Sequence, residues 1–468
     1  MKTRIFAILL VILLNVMHVA AEQVLLTQQM ANKAKNTLVI DRDYTLGGKT
    51  VTLPKKCRII VKEGGRLDNG TIRGKQSQIM AERDLTFIGK SLRIEGSWRQ
   101  EEIWDDWFEF DNSKTFVSNL LIDNMLALCD DFTDNHIHLQ RGRTYYVELP
   151  YKGRSDVAEL ISFHMESGKK MRHYEEFFGE GYEYLHIFTI PSNTRLTIEG
   201  RLQLLPNYMG VYFLFYENDK RNITIDGGGE IWGDNSNHLM SKPLTKEGYR
   251  GEWGFLFMCL RCHDFTFRNV TVAEAFGDCI YYSGSFLPED AGERWGSGLV
   301  MDNVKVLRAR RNGVTLSARD CLIRDCHFEG NGMVNGTLPK AGIDFESDYI
   351  AKYPTELGNR DVVMENCTFV NNGRDMSAAN NNLASYGRLA TTIRNCHFGN
   401  KIHISWGHWL RFENCTFNGF VGDYDKPVDA KNAIKNTQFI NCVINGMPDI
   451  VRQRQDWNNL FQQCQFND

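Results

Sequence analysis

Residues Leu299–Ser347 read LVMDNVKVLRARRNGVTLSARDCLIRDCHFEGNGMVNGTLPKAGIDFES and contain one short pattern twice. Each copy has an alternating apolar run, a polar corner, and a second apolar strand that follows Asn-Gly or Gly. The first copy begins at Val300 and the second at Leu322. A strand pattern that repeats in a constant order is typical of a solenoid whose coils stack on one another.

The same pattern continues on both sides of this stretch. Further copies begin at Arg195, Asn222, Asp264, Val362, Thr392, Leu410, Gln438 and Leu460. The order of strands is constant while the spacing varies, which indicates coils with loops of different length at one corner. The sequence therefore predicts an all-β fold, a right-handed parallel β-helix, with a short N-terminal helix near residues 25–35 and a long irregular insertion.

Cysteine and asparagine recur in one frame of the repeat. The cysteines in this frame are Cys326, Cys367, Cys396, Cys415, Cys442 and Cys464. Val270 and Val304 fill the same frame, so the position behaves as a small buried hydrophobe, and we predict a column of free thiols. Asparagine often precedes it, as at Asn366 and Asn395, and asparagine tolerates the left-handed backbone of a tight corner. We predict a ladder of stacked asparagines there.

The chain divides into four predicted segments: a signal peptide over 1–21, strand-rich N-terminal coils over 22–97, an irregular insertion over 98–185, and the β-helix over 186–468. Residues 1–21 carry a basic start, an apolar run and a small-residue cleavage site, the pattern of a secretory signal. We therefore expect an exported protein: periplasmic, cell-surface or secreted.

Charge and hydropathy limit the kinds of binding partner that the sequence predicts. The formal net charge of −4 argues against nucleic acid, whose binders usually carry a basic excess. No stretch after the signal is apolar enough to span a membrane. The sequence does not predict an oligomeric state.

Four motifs resemble those of the parallel β-helix superfamily that includes pectate lyases and polygalacturonases. These motifs are Asp226-Gly227-Gly228-Gly229-Glu230-Ile231-Trp232, Gly277-Asp278-Cys279-Ile280, Arg311–Ser317 and Ala341–Glu346. The resemblance covers 187–468, and more weakly 37–97, and implies an exported, uncharacterised type of polysaccharide-degrading protein. The Asn-Thr-Asp, Gly-His-Gly and Arg-Ile-Lys motifs of polygalacturonases are absent, so of their catalytic set only Asp278 has a matching position.

Outward side chains of neighbouring coils place acidic groups close together. If the strands are aligned by their inward residues, Tyr281, Thr315, Asp344 and His403 share one outward column. Asp344 and Glu346 lie two residues apart, about 6.5–7 Å along the strand, which approaches the spacing of about 6.5–9.5 Å in inverting glycosidases. We predict Asp278, Asp344 and Glu346 as catalytic residues, and Arg310, Arg311, Asn312, Tyr281, His403 and Trp406 as substrate-binding residues.

The sequence is compatible with three functions. The first is an enzyme that hydrolyses glycosidic bonds of an acidic polysaccharide or oligosaccharide with inversion and without metal or cofactor. Asp344 or Asp278 would protonate the leaving oxygen, and Glu346 or the other aspartate would activate water. The second is a Ca²⁺-dependent polysaccharide lyase, in which Asp344, Glu346 and Asp348 would hold the ion and Arg310, Arg311 or His403 would accept the proton. The third is a non-catalytic glycan-binding or surface scaffold protein.

Overall fold

The computed structural model describes residues 23–149, 186–207, 211–239, 253–284, 295–346, 359–379, 386–405, 407–421 and 434–467. The predicted signal peptide lies outside these residues. The chain separates into two compact units, one formed by residues up to Asp111 with Leu120–Asp130, the other by Asn112–Asn119 with Asp131–Asp468. No helix within the described ranges is long and apolar enough to cross a membrane.

The first unit consists of short parallel strands, with a helix at Gln28–Lys33 after the first of them. Thr27 caps this helix by accepting a hydrogen bond from the Met30 N–H at 3.3 Å. The strands are Val24–Leu25, Thr37–Ile40, Asp43–Thr45, Thr50–Thr52, Arg58–Val61, Arg66–Asp68, Gly70–Met80, Leu92–Trp98 and Glu102–Trp104, followed by a 3₁₀ turn at Asp105–Trp107 and a helix at Asn119–Ala127.

The second unit is a parallel β-helix, whose regular coils carry one strand in each of three sheets. Sheet 1 contains His186–Phe188, Val211–Asn218, Trp253–Leu260, Ile280–Ser283, the first part of Val314–Arg324, Ala341–Glu346, Arg374–Ala379 and His403–Ser405. Sheet 2 contains Asn135–Leu139, Thr194–Ile198, Arg221–Asp226, His263–Arg268, Gly296–Ser297, Val300–Asp302, the second part of Val314–Arg324, Arg360–Glu365, Thr391–Arg394, Leu410–Glu413, Gln438–Ile440 and Leu460–Gln462. This arrangement confirms the predicted fold class.

Sheet 3 completes each coil, and a few short elements lie outside the three sheets. Sheet 3 contains Thr144–Val147, Arg201–Leu204, Glu230–Trp232, Thr271–Ala273, Lys305–Leu307, His327–Glu329, Thr368–Val370, His397–Phe398, Thr416–Phe417, Val443–Asn445 and Gln465–Asn467. The remaining elements are the paired strands Gly407–His408 and Ile434–Lys435, a helix at Asp449–Gln453, and 3₁₀ turns at Asn235–Asn237 and Gln455–Trp457.

The boundary predicted at residue 186 needs correction. Asn135–Leu139 pairs in parallel with Thr194–Ile198, and Thr144–Val147 pairs with Arg201–Leu204. The coils therefore begin within the segment assigned to the irregular insertion. These two strands stand beside an aperiodic aromatic and polar stretch, which placed the predicted boundary too late, while residues 150–185 lie outside the described part of the chain.

The core of the β-helix is built from columns of identical side chains. Phe328, Phe369, Phe398 and Phe417 stack with ring centroids 4.6, 4.9 and 5.1 Å apart. These distances follow the spacing of about 4.8 Å between neighbouring strands. The cysteines of the repeat are free, and all of them except Cys464 are buried, as the Cys-or-Val frame predicts.

The asparagine ladder is also confirmed. Asn395 donates from Nδ2 to Oδ1 of Asn366 at 3.2 Å, and Asn414 donates to Asn395 at 3.1 Å. Asn303 and Asn441 make the same contact with the asparagine of the preceding coil. The φ angle of each of these residues lies between 52° and 56°. This is the left-handed conformation, which asparagine tolerates better than most residues.

Candidate functional site

The predicted outward column exists in sheet 1. Tyr281 pairs with Thr315, Thr315 with Asp344, Asp344 with Ser377, and Ser377 with His403. Parallel register without a slip keeps these side chains on one face of the sheet. The column differs from the expected one only in the coil that carries Ser377, which separates Asp344 from His403.

Arg311 forms the centre of the site. Its Nη1 donates to Asp278 Oδ2 at 2.7 Å, and its Nη2 donates to Glu346 Oε2 at 3.3 Å. Burial by itself lowers the pKa of Arg311, but the charges of Asp278, Glu346 and Asp344 outweigh it and raise that pKa. The guanidinium therefore stays charged and holds two carboxylates from the coils on either side in fixed positions.

Asp278 is completely buried and surrounded by donors. Besides Arg311, Oδ2 accepts a hydrogen bond from the Thr315 hydroxyl at 2.6 Å, and Oδ1 accepts one from the Asn312 N–H at 3.0 Å. Burial raises the pKa of Asp278 to about 6, although these partners act in the opposite direction. Both oxygens are committed to the protein, so the geometry favours Asp278 as an anchor for Arg311 over the proton donor considered from the sequence.

Asp344 lies in a different environment. It is 3% exposed, and its Oδ2 accepts a hydrogen bond from Asn312 Nδ2 at 3.3 Å. Burial and the negative charge of Glu346 raise the pKa of Asp344 to about 7, against the opposing effects of Arg311 and Ser377. A carboxyl group with this pKa retains its proton over a large part of the neutral range and can donate it.

Glu346 is the accessible member of the cluster. Its side chain is 38% exposed, whereas that of Arg311 is 13% exposed. Asp344 and Glu346 alternate with Phe345 on one strand, so both carboxyls lie on the same face. Two neighbouring carboxyls thus differ in burial and in ion pairing, the condition under which one serves as acid and the other as base.

Asn312 connects the two aspartates and does not face solvent. Its Nδ2 also donates to Thr315 Oγ1 at 2.9 Å, and its Oδ1 accepts from the Ala341 N–H at 3.0 Å. It is fully buried. The structure therefore gives Asn312 a positioning contact instead of the substrate contact predicted from the sequence.

Two glycines allow the coils to approach each other beside this network. A Cβ at Gly313 would lie 2.4 Å from the Gly342 carbonyl oxygen, and a Cβ at Gly342 would lie 2.8 Å from the Asp375 carbonyl oxygen. Both distances are shorter than van der Waals contact. The Asn-Gly and Ala-Gly pairs of the sequence thus set the close coil spacing that brings Asn312 within reach of Asp344.

Two further predicted binding residues, Arg310 and Tyr281, contact aromatic rings. The Arg310 guanidinium lies 4.6 Å from the Phe276 ring centroid, and its Nε donates to the Asn335 carbonyl at 3.0 Å. The buried Tyr281 ring stacks on Phe255 with centroids 5.3 Å apart. Both side chains therefore pack against the protein.

His403 lies in the column but two coils from Asp344. Burial and Arg374 lower the pKa of His403 to about 4, so the imidazole is neutral at physiological pH. Trp406 and Asp348 lie outside the described residues.

Thr315 and Ser377 were not among the predicted site residues, although each makes a direct contact with an aspartate. Both stand in the frame of Asp344 in neighbouring coils, so register alone could have identified them. Their small hydroxyl side chains gave no separate chemical signal.

Comparison with known proteins finds similar proteins but does not assign the chain to a family. No protein-family model matches it. The uncharacterized protein YclG of Bacillus subtilis (strain 168) is 26% identical over 281 residues, which are 55% of this chain and 46% of that protein. The chain thus spans about half the length of this curated relative.

Solved structures with a related chain path have low sequence identity. The tailspike protein of E. coli bacteriophage HK620, in complex with a pentasaccharide, matches with a TM-score of 0.46 and 11% identity, covering 74% of this chain and 57% of the tailspike. The surface protein and adhesin PfbA of Streptococcus pneumoniae matches with a TM-score of 0.37 and 12% identity, covering 94% and 92%. Similarity at this level does not extend to substrate or reaction.

Proposed function

We propose that this protein is an exported carbohydrate-active enzyme that hydrolyses glycosidic bonds of an acidic polysaccharide or oligosaccharide. One observation carries the proposal: Asp344 and Glu346 face the same side of one strand but differ in burial and in ion pairing. Asp344 is buried and its pKa is raised to about 7, while Glu346 is accessible and ion-paired with Arg311. Glycoside hydrolysis requires two carboxyls with different roles, one that gives a proton and one that takes a proton from water.

Asp344 acts as the general acid. Its proton passes to the glycosidic oxygen as the bond from that oxygen to the anomeric carbon breaks. Glu346 acts as the general base, taking a proton from the water whose oxygen forms the new bond to the anomeric carbon. Attack from the face opposite the leaving group gives inversion.

Arg311 and Asp278 position this pair. The salt bridge from Arg311 holds the Glu346 carboxylate in position beside Asp344. The buried ion pair with Asp278 fixes the guanidinium, since Asp278 is bonded by Thr315 and Asn312 as well. The positive charge beside Glu346 also suits an acidic sugar, because arginine pairs well with carboxylate or sulfate groups.

The charge of Arg311 favours hydrolysis over the calcium-dependent lyase reaction. A Ca²⁺ ion held by Asp344 and Glu346 would stand beside the charged Arg311 guanidinium, which is bonded to Glu346 at 3.3 Å. Two cations that share one carboxylate repel each other strongly in a partly buried site. Arg311 stays protonated and His403 is a weak base, so neither is a good proton acceptor.

The test is incubation of the whole protein with pectic, alginate and glycosaminoglycan chains. Hydrolysis produces new reducing ends without ultraviolet absorbance from an unsaturated product, whereas a lyase produces that absorbance and loses activity with a chelator. Asp344→Asn and Glu346→Gln should abolish turnover and keep substrate binding. Asp361→Asn, an exposed aspartate paired with Arg388, is the matched control and should retain activity. Unchanged behaviour of both site variants would instead support the scaffold function.

A further inference from the structure

A concave site lies on sheet 3, on a different face of the β-helix from Asp344. It encloses about 510 Å³, within the range of about 300–1,000 Å³ typical of ligand pockets. Tyr146, Gln203 and Trp232 pair in successive strands and line it together with Lys114, Arg201 and Asn237. Hydroxyl, amide, aromatic and cationic groups thus converge on one cavity.

The positive charge of the pocket is held rigidly. Arg201 forms a salt bridge with Glu230, and its guanidinium lies 4.6 Å from the Trp232 ring centroid. Arg308 lies 5.1 Å from the same ring. Lys114, an exposed side chain, adds an ammonium group at the pocket wall. Fixed donors reduce the entropy lost when a ligand binds.

The two carboxylates in the wall are already satisfied by the protein. Asp234 accepts hydrogen bonds from the Tyr212 hydroxyl at 2.7 Å and from Asn207 Nδ2 at 2.8 Å, and it contacts His238 Nδ1 at 2.8 Å. Glu274 accepts hydrogen bonds from the Ser236 hydroxyl and from Arg308. Both carboxylates are therefore engaged by groups of the wall, so the exposed ammonium group of Lys114 is the charge most available to a ligand.

The lining also has an order that suits a chain-like ligand. Tyr146, Gln203 and Trp232 belong to consecutive coils, about 4.8 Å apart. This step is similar to the length of one sugar residue in an extended chain. The Gln203 amide donates from Nε2 to the Leu204 and Gly233 carbonyls at 2.9 and 3.0 Å, so its oxygen is the atom of this side chain that can accept from a sugar hydroxyl.

We propose that this pocket is a separate binding site for a short acidic oligosaccharide, with Lys114 and Arg201 contacting carboxylate or sulfate groups and Tyr146, Gln203 and Asn237 contacting hydroxyls. The inference rests on the pocket alone and does not require turnover at Asp344. It would let the protein hold an acidic glycan on one face independently of the carboxylate cluster on another.

The experiment uses the full chain carrying Asp344→Asn, so that the probe stays intact whether or not the wild-type protein cleaves it. Isothermal titration is performed with trigalacturonate, trimannuronate and a heparin-derived tetrasaccharide, and with maltotriose as the neutral probe. At least one acidic probe should bind more tightly than maltotriose. Lys114→Glu should weaken that binding about tenfold or more, in line with the loss of one charge-assisted contact, and Tyr146→Phe should weaken it less.

Lys305→Glu is the matched control, because Lys305 is an exposed lysine on the same sheet outside the pocket lining. It should leave the affinity unchanged. Equal affinity for acidic and neutral probes, an equal effect of the two lysine changes, or no binding of any acidic probe at millimolar concentration would overturn the proposal. Wild-type protein that cleaves no glycan yet binds in a Lys114-dependent way would refute the proposed function and leave this site standing.

Discussion

Replacing Asp344 by asparagine should make the protein more stable at alkaline pH while removing its activity. Asparagine has nearly the same shape, and its oxygen can still accept the hydrogen bond from Asn312 Nδ2, which is 3.3 Å from Asp344 Oδ2. It carries no charge, so the cost of ionising a carboxyl group that is 3% exposed disappears. A catalytic residue that reduces stability is a common compromise between activity and folding.

The magnitude follows from the pKa of Asp344. This pKa is about 7 in the folded protein against an ordinary value of 3.8, so the folded state holds the proton more tightly than the unfolded state. The stabilising effect of the proton is complete below about pH 4 and is lost as the pH rises through 7. At about 1.4 kcal/mol per pKa unit, the loss reaches about 4 kcal/mol by pH 8.

The assay is urea unfolding of wild type and Asp344→Asn at pH 4.5, 6, 7 and 8, with Asp361→Asn as an exposed control. The difference in unfolding free energy between Asp344→Asn and wild type should grow from about 1 kcal/mol at pH 4.5 to about 4 kcal/mol at pH 8. Asp361→Asn should show no such trend. A difference that is constant over this range, or that favours wild type at pH 8, would refute the assignment of Asp344 as the buried proton donor.

Four further predictions follow from the same structure. Turnover should fall above about pH 7 as Asp344 ionises, and a pH–rate profile that stays flat to pH 9 would contradict its role as acid. Arg311→Met should reduce the free energy of unfolding by about 3–5 kcal/mol at pH 8, because a buried aspartate loses its charge partner, and Arg311→Lys should recover part of it in urea unfolding. Asn395→Ala should cost about 2 kcal/mol, through two ladder bonds and a positive φ, whereas Asn395→Gly should cost less because glycine tolerates that φ; equal losses would point away from the backbone. In the native state a thiol reagent should react rapidly only with Cys129 and Cys464, the two cysteines that are not buried, and fast labelling of further thiols would contradict the buried column.

The fold could be predicted from the sequence because each coil repeats the same physical problem. The frame that accepts Cys415 or Val304 has to be small and buried in every coil, and the corner before it needs a left-handed residue such as Asn414. Each coil alone gives a weak sequence signal, but the same signal recurs in one register, so the coils together identify the fold. Asn135–Leu139 fell on the wrong side of the predicted boundary because it stands next to an aperiodic stretch.

The site was only partly predictable, because strand alternation gives the direction of a side chain but not its burial. Strand alternation correctly placed Thr315, Asp344 and His403 in one column, since register depends on period alone. It did not predict that Asp278 and Asn312 are fully buried, because burial of an outward side chain depends on what lies over the sheet. Sequence spacing also did not reveal that Arg311 bridges acids from two different coils.

The Arg311 bridge has a consequence for how this protein can change in length. Solenoids commonly lengthen or shorten by gaining or losing whole coils, because each coil contacts only its neighbours. Asp278, Arg311 and Glu346 come from three consecutive coils, and the two salt bridges require that order. A coil duplicated between residues 278 and 346 would separate the partners by a full strand spacing and leave a charged group buried alone. Engineered coil insertions should therefore be tolerated near Leu410–Ile440 far better than within 278–346.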